Sequence, residues 1–518
     1  MRQRRAGILL PLFSLRGRRD WGVGDLGDLP GFCRWLASAG HTVLQLLPLA
    51  EMAIHETSPY GALTAFGLDP LYLDLDRVED FAVIGGTGSL SPAARADLDA
   101  ARTAPTLAYT RIRHAKGEAL AAAFARFEAV EVAGRSGRAA ALDRFVDAER
   151  WWLADYALFR ALLDLHGHQP WNTWEPALRA AEPASLRELP PALARAGRYH
   201  AWVQWLLAEQ WAAARREAAA VGVRLYGDVP FMVSAQSADV WARQDEFRLD
   251  ASIGAPPDAF AEDGQDWGLP VIRWDVMAAN DFGWWRARCR RAADLFDGVR
   301  LDHVVGYYRM YERPADGAPC FRPATEPAQQ ALGERLLTVA REAGGGLDLI
   351  GEDLGAVPDM VRTSLSGLGV PGFRVLRWEH DAGRFRDPRA YPDLSVATSG
   401  THDTSSLATW WQDEIGAEER TALAALPEFA GLQACSERFT PFAHAVLLNG
   451  LYRAGSRLLI LPFMDAYGGR ERINVPATVQ DGNWTYRVPW MVDELFGGAG
   501  ARLAAQLREL ARASDRLP

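Results

Sequence analysis

A repeating pattern runs through the chain: a short apolar segment, a turn, and an amphipathic stretch that often closes with glycine. Continuous apolar runs indicate strands buried on both faces, with the helices between them covering a parallel sheet. The candidate strands are Gly7–Phe13, Thr42–Leu49, Val223–Val229, Gly298–Val304, Leu347–Glu352, Gly372–Trp378, Ser395–Thr401 and Arg457–Phe463. Eight such units predict a closed (β/α)8 TIM barrel of the α/β class, and a doubly wound open sheet is the alternative.

Two intervals between strands are too long for a single crossover helix. Residues 70–198 are rich in Ala, Arg and Leu and predict a largely helical insertion between the second and third strands. Residues 234–284 are dense in Asp, Gly, Pro and Trp and predict a second insertion, of the long kind that is often functional. Too few residues follow the eighth strand for a C-terminal β-sandwich. We therefore expect one catalytic barrel domain over residues 1–518.

The clearest helical patterns lie between the candidate strands and inside the first insertion. They are Asp28–Ala39, Lys116–Phe127, Ala140–Leu165, Tyr199–Ala220, Trp284–Phe296, Gln329–Ala343 and Ala501–Ala513.

Composition narrows the class of function. The net charge of −10 argues against nucleic acid as a partner, because its binders need clustered positive charge. No apolar run approaches the roughly 18 residues of a membrane span. Four widely separated cysteines without zinc-ligand spacing predict no metal site and suggest a reducing compartment, so we expect a cytoplasmic protein without a cofactor. The 19 tryptophans are compatible with carbohydrate binding, since sugar rings stack on aromatic faces.

One glycine motif suggests a nucleotide site at first sight. Gly22-Val-Gly-Asp-Leu-Gly27 matches the GxGxxG fingerprint, which requires a preceding strand and an acidic residue near the end of the next one. Gly22 lies well beyond the first candidate strand, and the second ends in Leu46-Leu-Pro-Leu49. We therefore interpret the motif as a tight loop that enters a helix.

Three acidic residues lie at or just beyond the carboxyl ends of three of the apolar segments: Asp302, Glu352 and Asp403. A barrel enzyme carries its catalytic groups at the carboxyl ends of its strands, so these acids would meet at one mouth. Arg300 shares the strand face of Asp302 and would keep that carboxylate ionised. One such acid alone is more often a helix cap or salt-bridge partner, but three at equivalent positions favour a catalytic group.

Glycoside chemistry gives such acids a use. A retaining enzyme needs one carboxylate as nucleophile and one carboxylic acid to protonate the leaving oxygen, with the two groups about 5–5.5 Å apart. A third acid can bind sugar hydroxyls and stabilise positive charge on the ring.

Further segments occur in a characteristic order around these acids. They are Gly7-Ile-Leu-Leu-Pro-Leu-Phe-Ser-Leu, Gly22-Val-Gly-Asp-Leu-Gly, Leu46-Leu-Pro-Leu, Ser58-Pro-Tyr60, Tyr226-Gly-Asp228-Val-Pro, Gly254-Ala-Pro-Pro-Asp258-Ala-Phe, Gly264-Gln-Asp-Trp267-Gly, Glu471-Arg-Ile-Asn474-Val-Pro and Asn483-Trp. Together they resemble the amylomaltases, or 4-α-glucanotransferases, of glycoside hydrolase family 77, which are relatives of the α-amylases. The likeness covers nearly the whole chain.

The resemblance implies a role for each acid. Asp302 would be the nucleophile that forms a covalent glucosyl-enzyme, with Arg300 beside it. Glu352 would be the general acid and then the base that activates the acceptor hydroxyl. Asp403, together with His402, would bind hydroxyls of the sugar at the cleavage point.

The resemblance also implies substrate-binding residues. Tyr60 would stack on the sugar at the cleavage point, while Asp228 and Asn474 would line the donor cleft. Trp267 would give acceptors an apolar platform on an active-site loop over residues 254–268. A plain core role is the alternative for Trp267.

The implied activity is the transfer of α-1,4-glucan segments. The donors would be α-1,4-glucans and maltooligosaccharides, and the acceptors would be glucose or maltooligosaccharides. We expect the protein to be a monomer or small homo-oligomer, with neither nucleic acid nor a membrane as a partner. An α-glucan hydrolase with the same three acids is the first alternative. A catalytically silent glycogen-binding protein is the second.

Overall fold

Eight parallel strands close into a barrel in a computed structural model that describes residues 3–182, 190–257, 264–381, 383–435 and 437–518. The strands are β1 (Arg5–Leu9), β2 (Val43–Gln45), β3 (Arg224–Val229), β4 (Gly298–Leu301), β5 (Asp348–Gly351), β6 (Gly372–Val375), β7 (Ser395–Thr398) and β8 (Leu458–Pro462). Each strand pairs with the next along the chain, and β8 pairs with β1. The predicted (β/α)8 barrel is confirmed, and the open sheet is excluded.

The strands are shorter than the apolar runs that predicted them. The run Thr42–Leu49 contains only β2, Val43–Gln45. Residues 46–49 follow β2 at its carboxyl end and form part of a mouth loop, while their side chains stay buried. An apolar run therefore marks burial, and the strand occupies only the part of it that pairs.

Helices surround the barrel and fill the interval between β2 and β3. The α-helices are Leu29–Ser38, Glu79–Val83, Pro92–Thr103, Tyr109–Phe127, Gly137–Ala148, Arg150–Leu165, Pro176–Arg179, Pro191–Ala220, Ala238–Ala242, Trp274–Ala279, Gly283–Leu295, Val305–Tyr308, Glu326–Gly344, Asp359–Gly367, Leu407–Thr409, Ala417–Ala424, Pro441–Tyr452, Phe463–Tyr467 and Gly498–Arg512. The predicted helix Ala140–Leu165 is two helices that meet at Glu149. The division of residues 1–518 into one barrel domain with insertions at 70–198 and 234–284 stays a prediction.

An antiparallel sheet lies outside the barrel. Its strands, in order, are Gln265–Ile272, Phe247–Ala255, Met310–Pro314 and Cys320–Arg322. The first two strands lie in the interval 234–284, for which the sequence predicted a long insertion but no strands. The other two follow β4 and complete the sheet. Within the expected active-site loop 254–268, residues 258–263 lie outside the described part of the chain. A two-stranded hairpin, His380–Asp381 with Arg384–Phe385, follows β6.

After β8 the chain is helical or irregular, and the described residues there contain no β-sandwich. Among the described helices, none has the length and apolar character needed to cross a bilayer.

One arginine near the end of the chain closes the barrel. Arg516 is fully buried and donates hydrogen bonds of 2.8–3.2 Å to five backbone carbonyls. Two of these carbonyls belong to Arg5, the first residue of β1, and to Arg457, the residue before β8. The guanidinium therefore ties together the first and last strands of the barrel.

We expect Arg516→Ala to lower the free energy of unfolding by about 3 kcal/mol or more, since it leaves several buried carbonyls without a donor. Chemical denaturation followed by circular dichroism measures the change. Arg512→Ala is the matched control, because this side chain is 65% exposed and pairs with Glu509 on the surface. Equal effects of the two substitutions would contradict the role given to Arg516.

Candidate active site

Barrel register brings two of the predicted acids together. Leu301 of β4 pairs with Gly351 of β5, and the next residues are Asp302 and Glu352. Backbone pairing continues one step further, because the Glu352 N–H donates to Leu301 at 3.0 Å. On the other side, Asp228 of β3 pairs with Arg300 of β4. The two acids therefore emerge side by side at the carboxyl-end mouth.

A single guanidinium connects three of the carboxyl groups. Arg300 Nη1 donates to both oxygens of Asp228, at 2.8 and 2.9 Å, and to Asp302 Oδ1 at 2.7 Å. Its Nη2 lies 3.8 Å from Glu352 Oε2. Burial would lower the pKa of Arg300, but the surrounding carboxylates raise it well above its ordinary value. The arginine therefore stays cationic. Because Asp302 and Glu352 both lie near its guanidinium, the arrangement supports the expected separation of about 5–5.5 Å between the two carboxyl groups, which stays a prediction.

Glu352 is the more enclosed member of the pair. Its side chain is 12% exposed, against 23% for Asp302. Its Oε2 accepts from the His303 N–H at 2.8 Å, and Oε1 accepts from the Leu354 N–H at 3.2 Å. Burial raises the pKa of Glu352 to about 8; Arg300 opposes the shift and Asp302 adds to it. One carboxyl is thus suited to carry a proton at neutral pH beside another that is paired with a cation.

Asp403 lies beyond β7 at the same mouth. Its Oδ1 accepts from Asn474 Nδ2 at 2.6 Å, and its Oδ2 lies 3.3 Å from His402 Nε2. Arg472 fixes the backbone here by donating to the carbonyls of Asp403 and Asn474, each at 2.7 Å. The carboxylate remains 39% exposed, so it can still bind a ligand in the cleft.

Tyr60 connects the two halves of the site. Its hydroxyl donates to Asp228 Oδ2 at 2.8 Å, and its ring stacks on the His402 ring with centroids 5.2 Å apart. Trp484 packs against both rings, at 5.7 Å from Tyr60 and 5.8 Å from His402. The predicted residues from β3, β7 and the segments after β2 and β8 are therefore one contiguous group.

Trp267 reaches the site from the antiparallel sheet. It is half-buried, and its ring meets the His303 ring edge to face with centroids 4.8 Å apart. His303 has φ 45°, in the left-handed region, and that conformation accompanies the hydrogen bond from its N–H to Glu352. Trp267 is thus one side chain away from the buried acid, and its position favours the functional interpretation over the plain core one.

Three residues of this region were not identified from the sequence as site residues. They are His303, Trp484 and Trp378. Trp378 is 46% exposed and follows β6, which lies in the barrel between β5, the strand before Glu352, and β7, the strand before Asp403. His303 was signalled only by its place directly after Asp302. Trp484 was noted only as part of the segment Asn483-Trp, and Trp378 was one of 19 tryptophans with nothing in the sequence to distinguish it.

Two neighbouring carboxyl groups at the carboxyl-end mouth of a (β/α)8 barrel, one of them with a raised pKa, fit the class of enzymes that cleave or transfer glycosidic bonds. Comparison with known proteins narrows this class. Residues 10–493 match the family model described as 4-alpha-glucanotransferase. The chain is 35% identical over 524 residues to a 4-alpha-glucanotransferase of Thermus thermophilus, with 99% of each chain covered, and 31% identical to one of Chlamydia pneumoniae, with 94% and 92% covered.

A solved structure agrees over the full length. The amylomaltase from Streptococcus agalactiae in complex with acarbose has a TM-score of 0.83 and 26% identity, with 100% of both chains covered. The chain therefore belongs to the 4-alpha-glucanotransferase family. The family and the enzyme class predicted from the sequence are confirmed.

Arg300→Met is expected to lower the free energy of unfolding by about 3–5 kcal/mol, because it leaves Asp228 buried without its cation. Adding Asp228→Asn should recover part of that loss, since a neutral amide replaces the unpaired charge. A double-mutant cycle by chemical denaturation measures the coupling. Simple additivity of the two single changes would contradict the pairing.

Proposed function

We propose that this 4-alpha-glucanotransferase transfers segments of α-1,4-glucans to the 4-hydroxyl of glucose or maltooligosaccharides with retention of anomeric configuration. The observation that carries the proposal is the arrangement of Asp302 and Glu352 after adjacent parallel strands, both in contact with Arg300. It would present to one glycosidic bond a carboxyl group hydrogen-bonded to a cation and another whose pKa is raised to about 8.

The first step forms the glucosyl-enzyme. Asp302 Oδ attacks the anomeric carbon of the donor, and the bond from that carbon to the leaving glycosidic oxygen breaks. Glu352 gives its proton to this oxygen, so the shortened glucan leaves as an alcohol. Arg300 donates a hydrogen bond to Asp302 Oδ1 and orients this carboxyl group for the attack.

The second step transfers the glucosyl group from Asp302 to the acceptor hydroxyl by the reverse of the first reaction. Glu352, now a carboxylate, takes the proton from the acceptor 4-hydroxyl. The acceptor oxygen attacks the anomeric carbon and displaces Asp302, and two inversions at this carbon give net retention.

The remaining predicted residues bind the sugar at the cleavage point. Asp403 presents a half-exposed carboxylate to ring hydroxyls, held by Asn474 and His402. The Tyr60 ring, supported by His402, offers an apolar face for the same sugar. Asp228 accepts hydrogen bonds from the Tyr60 hydroxyl and from Arg300, and so positions both side chains for the donor.

The contact between Trp267 and His303 favours a sugar acceptor over water. An acceptor that stacks on Trp267 would lie against the residue whose N–H holds Glu352. Occupancy of this platform would exclude water from the glucosyl-enzyme. Transfer is then favoured at the step where a hydrolase would admit water.

We further propose action in the cytoplasm, as a monomer or small homo-oligomer. All four cysteines are free thiols, and Cys33 and Cys289 are buried, as expected in a reducing compartment.

Maltotriose as the only substrate tests the proposal directly. We expect glucose and a ladder of oligosaccharides both shorter and longer than the substrate. Asp302→Asn should reduce turnover by roughly a thousandfold or more, with maltotriose binding retained, because the change removes the group that forms the bond. Chromatography measures the products and calorimetry the binding. Maltose and glucose alone, or more than about a tenth of the activity left in the variant, would contradict the proposal.

The proton on Glu352 predicts a basic limb in the pH profile. Because the pKa of Glu352 is raised to about 8, the protonated acid is present at neutral pH and is lost as pH rises through that value. The kcat/KM for maltotriose should therefore fall above about pH 8. With α-glucosyl fluoride, whose leaving group needs no proton, the fall should be much weaker, and Glu352→Gln should retain more activity. Identical limbs for both donors would assign the titration to another group.

A further inference from the structure

A cavity of about 480 Å³ opens at the end of the barrel opposite the active site. Its lining includes Arg5, Arg224 and Asp348, which are the first residues of β1, β3 and β5. Since all eight strands are parallel, their first residues lie at one face and their last residues at the other. The cavity and the catalytic carboxyl groups are therefore at opposite ends of the same strands.

The charged residues that line this cavity are mostly cationic. They are Arg5, Arg224, Arg341, Arg457, Asp348 and Asp393. The excess of arginine is local, because the whole chain carries a net charge of −10. The cavity would therefore attract an anion, although the chain as a whole is acidic.

The two carboxylates of the lining already have partners. Asp348 Oδ2 accepts from Arg224 Nη1 and from the Tyr226 hydroxyl, each at 2.5 Å. It also lies 3.8 Å from Arg5 Nη1. Asp393 accepts from Arg457. Two carboxylates with these commitments leave positive charge uncompensated around the cavity.

One arginine of the lining has donor groups to spare. Arg341 forms no ion pair among the described residues, and its Nη1 donates to the Leu368 carbonyl. Arg457 is paired with Asp393, and its Nε is buried, so this residue contributes charge to the cavity rather than a free donor. Arg341 thus offers the planar, permanently charged kind of group that can bind two phosphate oxygens at once.

We propose that this cavity is a binding site for a small phosphate-bearing molecule. Its volume lies within the 300–1,000 Å³ usual for small-molecule sites, so it has room for a phosphate and an attached sugar. Arg341 would contact the phosphate, and Arg5 and Arg457 would add positive charge. The site is separate from the glucan cleft and does not depend on the proposed mechanism.

Isothermal titration calorimetry of the full chain, with inorganic phosphate, glucose 1-phosphate and glucose in turn, tests the proposal. Arg341→Gln is the test variant, since it removes a cavity cation without breaking an ion pair. Arg335→Gln is the matched control: Arg335 is on the same helix, is 46% exposed and pairs with Asp281 at 3.2 Å, outside the cavity lining.

We expect phosphate to bind with one site per chain and a Kd of about 1 mM or below, and Arg341→Gln to weaken it roughly tenfold. Arg335→Gln should leave the Kd unchanged. Tighter binding of glucose 1-phosphate than of phosphate, lost in Arg341→Gln, would identify a sugar phosphate as the ligand, whereas equal binding would identify inorganic phosphate. The proposal is overturned if neither anion binds, if glucose binds equally well, or if Arg341→Gln has no effect.

Discussion

The arginine at the centre of the mouth is the interaction on which the active site depends. Asp228, Asp302 and Glu352 leave neighbouring strands close together, and like charges at that distance would repel strongly in a buried setting. Arg300 compensates them unequally: it forms hydrogen bonds with Asp228 and Asp302 but lies 3.8 Å from Glu352. Burial, which Arg300 offsets only in part, raises the pKa of Glu352 to about 8, while Asp302 keeps a direct hydrogen bond from the cation.

Most of the barrel could be predicted from the sequence, and what was missed has a common cause. Buried parallel strands appear as continuous apolar runs, so all eight were found, including short ones such as β2, Val43–Gln45. The antiparallel sheet was missed because Phe247–Ala255 carries charged and half-exposed residues. Its partner Met310–Pro314 lies beyond a barrel strand. The sequence pattern within each strand gives no indication that these two distant segments pair.

The candidate site divides in the same way. The acids could be found because a carboxylate after an apolar strand is visible in the sequence, and Arg300 because it is two residues from Asp302. The stacking of Tyr60 on His402 joins segments more than 300 residues apart, so only the fold brings them together. The hydrogen bond from His303 to Glu352 depends on a left-handed backbone conformation that no residue type announces.

The two ends of the barrel are connected by the strands themselves. Arg224 and Asp228 are four residues apart on β3, and Asp348 and Glu352 have the same separation on or just after β5. Even spacing places each pair on one strand face, and four residues span about 13 Å. The cationic cavity thus shares two strands with the carboxyl groups of Asp228 and Glu352. β3 and β5 therefore join the cavity residues Arg224 and Asp348 to the mouth carboxyl groups of Asp228 and Glu352 through four residues of continuous backbone.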